Sequence, residues 1–258
     1  MTALPDLESL VATHMLPFFR IGAMLLVAPL FGARLVPARV RIVLALVLAA
    51  VIAPLVPSPA RFDAFSQLAV LAIAQEIIVG VIMGFMVQMV FDAIILGSQT
   101  IAMGMGLGFA VLVDPQRGVN VPVLSQFFVI MTTMMFLALN GHLVLIALLV
   151  QSFQALPPGT SGFDRDTLWT VASFGTQMFA GAVLVALPAV VALLVVNFAY
   201  GVISRAAPTL NLFAVGFPVT VLLGFLILQF SFQTTLVSLT TLLDSAFGEL
   251  GTLFGPAP

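Results

Sequence analysis

Only 7% of the 258 residues are charged, so every ionisable side chain inside an apolar stretch is a candidate for chemistry. Glu76 and Asp92 share one such stretch. Carboxyls there belong to proton relays, ion sites or buried pairs. They are about 16 positions apart and fall on nearly opposite faces of a helix, so they do not form one paired site. The residues read first as hydrogen-bonded members of a packing ridge. The alternative is a proton-coupled secondary transporter using Glu76 and Asp92. Arg20, deep in the first apolar stretch, has two candidate counter-charges: Glu76, or an acidic group on a partner. His14 reads as an interfacial histidine. With His142 the only other histidine and no cysteine, no ligand set for a transition metal is expected. No G-x-S-x-G elbow or Ser/His/Asp arrangement is present. Neither an enzyme nor a cofactor is expected.

The second feature is Met103–Asn120, MGMGLGFAVLVDPQRGVN. Gly104, Gly106 and Gly108 alternate with apolar residues, and Asp114, Pro115, Arg117 and Gly118 follow. Each glycine costs a helix roughly 1 kcal/mol relative to alanine. The stretch is therefore predicted to be an irregular apolar loop, enclosed at membrane depth by protein or by a wet cavity. GMGLG is not the dinucleotide fingerprint, and no strand precedes it. The use left is mechanical. A hinged apolar strip seals a pore by excluding water and moves aside for something large. The candidate plug comprises Met103, Gly104, Met105, Gly106, Leu107, Gly108, Phe109, Asp114, Pro115 and Arg117. Met131, Met134 and Met135 add adaptable side chains nearby.

The elements that position these residues are apolar helices. The chain is 62% hydrophobic, whereas a soluble domain is about a quarter charged. An all-α integral membrane protein is expected, with about six long, kinked helices over 10–31, 40–56, 67–97, 122–155, 168–203 and 212–246. About 20 residues cross a hydrocarbon core, so the last four segments must tilt, extend or break. Candidate breaks are Asn140-Gly141-His142 and Pro188. The third segment carries an i+4 ladder, Ala72, Glu76, Gly80, Gly84, Gln88 and Asp92, with a GxxxG pair for close helix approach. The fifth repeats it with Gln177, Gly181, Val185, Ala189, Leu193, Asn197 and Gly201. The sixth turns semi-polar from Gln229 to Thr241, as suits subunit contact or a wet lumen. All eight basic residues are arginine, without a basic patch, so no nucleic-acid partner is expected. An outside N-terminus puts Arg34, Arg39, Arg41, Arg117 and Arg205 inside and Arg61 and Arg165 outside. Asp6 and Glu8 replace the basic start of a cleavable signal, so the start is expected to be retained. One membrane domain is expected, with halves 1–100 and 121–258 joined by the glycine-rich stretch 101–120.

In this order of features the chain resembles the FliR family of flagellar type III export-gate subunits and its virulence-secretion homologues. The resemblance rests on RIGAMLLVAPLFGARLVPARVRI, GMGLGFAVLVDPQRG, NGHLVLIALLVQSFQALPPG and RAAPTLNLFAVGFP, and covers nearly the whole chain. It implies one copy assembled with several FliP-like and FliQ-like membrane subunits and touching an FlhB-like subunit. Helical hairpins would wind into a spiral cone around an export channel, much of it above the bilayer plane. Residues matching 103–117 would plug the closed channel. Unfolded flagellar proteins would be the cargo, and the place the inner membrane at the flagellar basal body.

Overall fold

The computed structural model describes residues 7–32, 36–56, 67–108, 123–158, 165–206 and 212–255. All regular structure among them is helical: α1 (Leu7–Val27), α2 (Ala38–Ile52) with a 3-10 turn at Ala53–Leu55, α3 (Gln67–Gly104), α4 (Val123–Ala138), α5 (Gly141–Ala155), α6 (Arg165–Ala206) and α7 (Leu212–Phe254). The six apolar segments thus give seven helices, because the fourth is broken. The break falls at Asn140, in the left-handed conformation with φ 56°, which asparagine tolerates better than most residues. α4 and α5 meet there with a bend of 62°. Pro188 does not break the fifth segment: α6 runs through it for 42 residues. Its lost N–H costs one hydrogen bond, which a long helix with packed neighbours on either side absorbs.

α3, with 38 residues, is about 57 Å long at 1.5 Å per residue, nearly twice a hydrocarbon core of about 30 Å. α2 with its 3-10 turn, α3, α6 and α7 are each long and apolar enough to cross a membrane, and the bent α4–α5 pair makes a fifth span if counted as one. α1, at 21 residues, has about the length that crosses a hydrocarbon core. Among the described residues four helices, or five with the bent pair taken as one, are long and apolar enough to cross a membrane.

The chain divides into two compact units. One holds residues 1–89, 136–175 and 243–258, and the other residues 90–135 and 176–242. In the first, the GxxxG pair brings α3 against α1. A Cβ on Gly80 would fall on the Arg20 carbonyl oxygen, and one on Gly84 would lie 2.8 Å from the Met24 oxygen and 2.9 Å from the Ala28 nitrogen. Residue numbers rise together along both helices, so α1 and α3 are parallel. Ala72, Glu76, Gly80 and Gly84 are buried, and Gln88 is half-buried on the same ridge. In the second unit the pattern recurs. Gly97 meets Ala182 and Val185 of α6, and Gly104 meets Leu193, so α3 and α6 are also parallel. The rungs Gly181, Val185, Ala189 and Leu193 are buried, whereas Asn197 and Gly201 are exposed.

Several hydroxyls of α7 bond to their own helix. Thr220 Oγ1 donates to the Gly216 carbonyl at 2.8 Å, Thr235 to Ser231 at 3.2 Å and Thr241 to Val237 at 2.9 Å. They need no neighbour. Gln229 and Gln233 cannot be satisfied that way, and both are exposed.

Gly80→Ala is expected to destabilise the protein by about 1–3 kcal/mol, the usual cost of overpacking, because backbone stands where the methyl would go. Gly175→Ala, where a Cβ meets nothing within 4 Å, should be neutral or slightly stabilising. Thermal unfolding of the detergent-solubilised protein checks the contrast.

Candidate functional site

Arg20 is 1% exposed, in the middle of an apolar helix. An arginine at that position costs about 2.5–3.5 kcal/mol to insert into a membrane. The structure gives it acceptors for four hydrogen bonds from two other helices. Nε donates to Glu76 Oε2 at 2.7 Å and Nη2 to Glu76 Oε1 at 2.9 Å, forming a two-pronged fork. Nη2 also donates to the Leu156 carbonyl at 2.9 Å, and Nη1 to Ser152 Oγ at 3.0 Å. Ser152 in turn donates to the Leu149 carbonyl at 2.7 Å. The Phe153 ring covers the guanidinium, with its centroid 4.1 Å from Cζ.

Three helices place these groups. Glu76 stands one turn before Gly80 on the ridge facing α1. Ser152 and Phe153 lie in the last turn of α5, and Leu156 is its C-cap. The guanidinium therefore also caps the negative end of α5. Of the two counter-charges open to Arg20, the structure takes Glu76. The sequence held no mark of Ser152, Phe153 or the Leu156 carbonyl, since an acceptor on the backbone leaves none. Glu76 and Asp92 belong to different compact units. Both oxygens of Glu76 are held by Arg20, an arrangement suited to a fixed pair and not to proton exchange.

The glycine-rich stretch differs from its expectation at the start. Met103 and Gly104 are helical, the last residues of α3. The helix ends in a Schellman turn: Leu107 N–H donates to the Ala102 carbonyl and Gly106 N–H to the Met103 carbonyl, both at 3.0 Å, with Gly106 at φ 80°. That left-handed position asks for glycine. Gly104 lets α3 approach Leu193, and Gly108 sits against the Met103 sulfur. The alternation of glycines thus has three local causes where the sequence offered one, a flexible loop.

Met105 is fully buried, whereas Met103 is 65% exposed. The seat of Met105 is Gly224 on α7, where a Cβ would lie 2.5 Å from Met105 Cε. Two residues on, Leu107 lines a partly open apolar cavity of about 530 Å³ with Phe127 and Phe128 of α4 and Phe225, Gln229 and Phe232 of α7. Val123, where the described chain resumes, lines the same cavity. Met131 and Met135 sit in a narrow crevice between α4 and α7, as ordinary packing methionines do, and Met134 is exposed. Phe109, Asp114, Pro115 and Arg117 lie outside the described residues.

These features define an integral all-α membrane protein with fixed intramembrane polar contacts. A family of bacterial export proteins, described as "Bacterial export proteins, family 1", matches residues 11–246. The chain is 36% identical to the flagellar biosynthetic protein FliR of Escherichia coli K12 over 81% of its own length and 79% of that protein. It is 35% identical to FliR of Pectobacterium carotovorum, covering 86% and 85%, and 31% identical to FliR of Bacillus subtilis, covering 85% of each. The chain belongs to the FliR family. Membership and its apolar helices place it in the bacterial inner membrane, with the flagellar export machinery.

Gly224→Val should unseat Met105 and loosen the last turn of α3. Hydrogen exchange at the amides of Met105, Gly106 and Leu107 would quicken, while amides near Arg20 keep their protection. Arg20→Lys keeps the charge but loses the fork. Its expected cost is about 1.5–3 kcal/mol, the worth of a hydrogen bond to a charged group, read from thermal unfolding.

Proposed function

We propose that this chain is a channel-forming subunit of the flagellar type III protein export gate, passing unfolded flagellar proteins across the inner membrane. In this reading residues about 103–117 are its internal plug. The observation that carries it is the end of α3. Met105 is pinned against Gly224, Gly106 turns the chain out of the helix, and the strip departs beside a phenylalanine-lined cavity. A plug needs such a root: one end fixed, and an apolar length beyond it.

FliP-like and FliQ-like membrane subunits and an FlhB-like subunit are the proposed partners, with no catalytic role for the chain. Wide apolar faces support this. On α2, Val40, Val43, Val47 and Val51 are each more than half exposed, and on α6 so are Phe179, Val183, Leu194 and Phe198. Such faces take lipid or other subunits. Asn197 stands exposed within the α6 face, and an amide at that depth is better met by a neighbouring helix than by lipid. The flagellar names of the relatives favour this gate over its virulence counterpart. The fork on Glu76 speaks against a proton-coupled transporter.

Deletion of residues 104–112 in the assembled complex is expected to raise the ion conductance of the closed channel. An unchanged closed conductance would remove the plug from this reading. Purified without partners, the chain should aggregate or be degraded, whereas co-expression with the two small membrane subunits should yield a stable complex.

A further inference from the structure

α2 begins with two cations and carries no other charge. Arg39 and Arg41 lie in its first turn, and the next charged residue in the sequence is Arg61. A helix start is the positive end of the dipole, where cations are unfavourable and anions are stabilised. Nothing in α2 offsets this. Its first turn holds no acidic residue, and its N-cap, Pro37, makes no side-chain capping bond. Among the described residues neither arginine is paired with a carboxylate. Arg39 is exposed. Arg41 is half-buried, and its Nε is shut from water with no acceptor among the described residues. A buried donor in that state needs an acceptor from outside the chain.

The rest of α2 selects the kind of anion. With its 3-10 turn the helix covers Ala38–Leu55, 18 residues, or about 28 Å, close to a hydrocarbon core of about 30 Å. Val40, Val43, Val47 and Val51 form one face, each more than half exposed. Arg39 and Arg41 flank Val40, the head of that face, one on each side. Helical side chains lean toward the N-terminus, so both guanidinia are carried toward the headgroup level at this end. The positive-inside rule sets that end on the cytoplasmic side. A soluble anion would use the arginines alone, whereas a lipid also uses the apolar wall beneath them. We propose that the start of α2 is a binding site for an anionic phospholipid. Its phosphate sits between Arg39 and Arg41, whose planar forks suit phosphate oxygens, and its acyl chains run down the valine face.

The test uses the tagged full-length chain, with whatever assembles on it, purified in mild detergent. It is titrated with phosphatidylglycerol bearing a fluorescent acyl chain, and binding should saturate. Arg39→Gln and Arg41→Gln should each weaken it about fivefold, as expected for one arginine near an anionic surface, and the double variant should weaken it more than either. Arg41→Lys, which keeps the charge, should lose less than Arg41→Gln. Arg205→Gln, which removes an exposed cation in the last turn of α6, should leave binding unchanged. Phosphatidylcholine with the same label should bind more weakly and respond to none of these variants. Unchanged phosphatidylglycerol affinity in the double variant overturns the proposal, and is the result expected if an acidic segment of another protein covers the arginines. An equal response with phosphatidylcholine overturns it too. So does full displacement of the lipid by inorganic phosphate at equal concentration, the mark of a soluble-anion site. If Arg41→Gln does not fold, Arg39→Gln, at an exposed position, carries the test alone.

Discussion

A buried arginine has to be answered by protein, and the first compact unit is arranged around that demand. The guanidinium of Arg20 offers donors in one plane, and acceptors reach it from two other helices. Each acceptor has its own reason to be there. Glu76 needs a cation as much as Arg20 needs an anion. The Leu156 carbonyl ends a helix and has no partner of its own. Ser152 passes its proton to the Leu149 carbonyl and keeps its lone pairs for the guanidinium. Taking both charges from water costs several kcal/mol per ion, and a fork with two further hydrogen bonds is the geometry that offsets it. Removing one member leaves the others buried without a counterpart, so the set is kept or lost together.

The second unit solves a different problem, how to stop a long apolar helix. α3 continues past the point where its glycines begin. It stops at Gly106 because the left-handed turn there returns two N–H groups to carbonyls of the last turn. The polar content of α7 follows the same economy. Thr220, Thr235, Thr240, Thr241 and Thr252 donate to carbonyls of their own helix, so part of what looks like a wet face is self-contained. The amides of Gln229 and Gln233, both exposed, cannot be satisfied in this way.

Much of this was legible in the residues. Apolar runs located every helix, and Asn140 marked the one break because asparagine tolerates the conformation a break requires. The spacing of Gly80 and Gly84 foretold a close helix contact, and Glu76 stood as one of two counter-charges open to Arg20. What escaped has physical causes. Pro188 signals a break in a short helix, yet in α6 the surrounding turns and packing carry it through. The glycine run was read as one flexible loop because propensity adds costs residue by residue. Tertiary contacts with Leu193 and Gly224 gave the first of those residues separate roles. The α5 contribution to the arginine centre was invisible for a different reason, since a backbone carbonyl has no signature in sequence.

The parallel pairing of α1 and α3 has a mechanical corollary. Sliding α1 along α3 by one turn, about 5.4 Å, would lift the guanidinium off Glu76 and off the end of α5 in the same stroke. It would also carry the backbone at Arg20 and Met24 away from the glycines shaped to receive it. Piston motion between these helices is barred. The arginine-centred contacts thus fix the axial register of α1 against α3 and the end of α5.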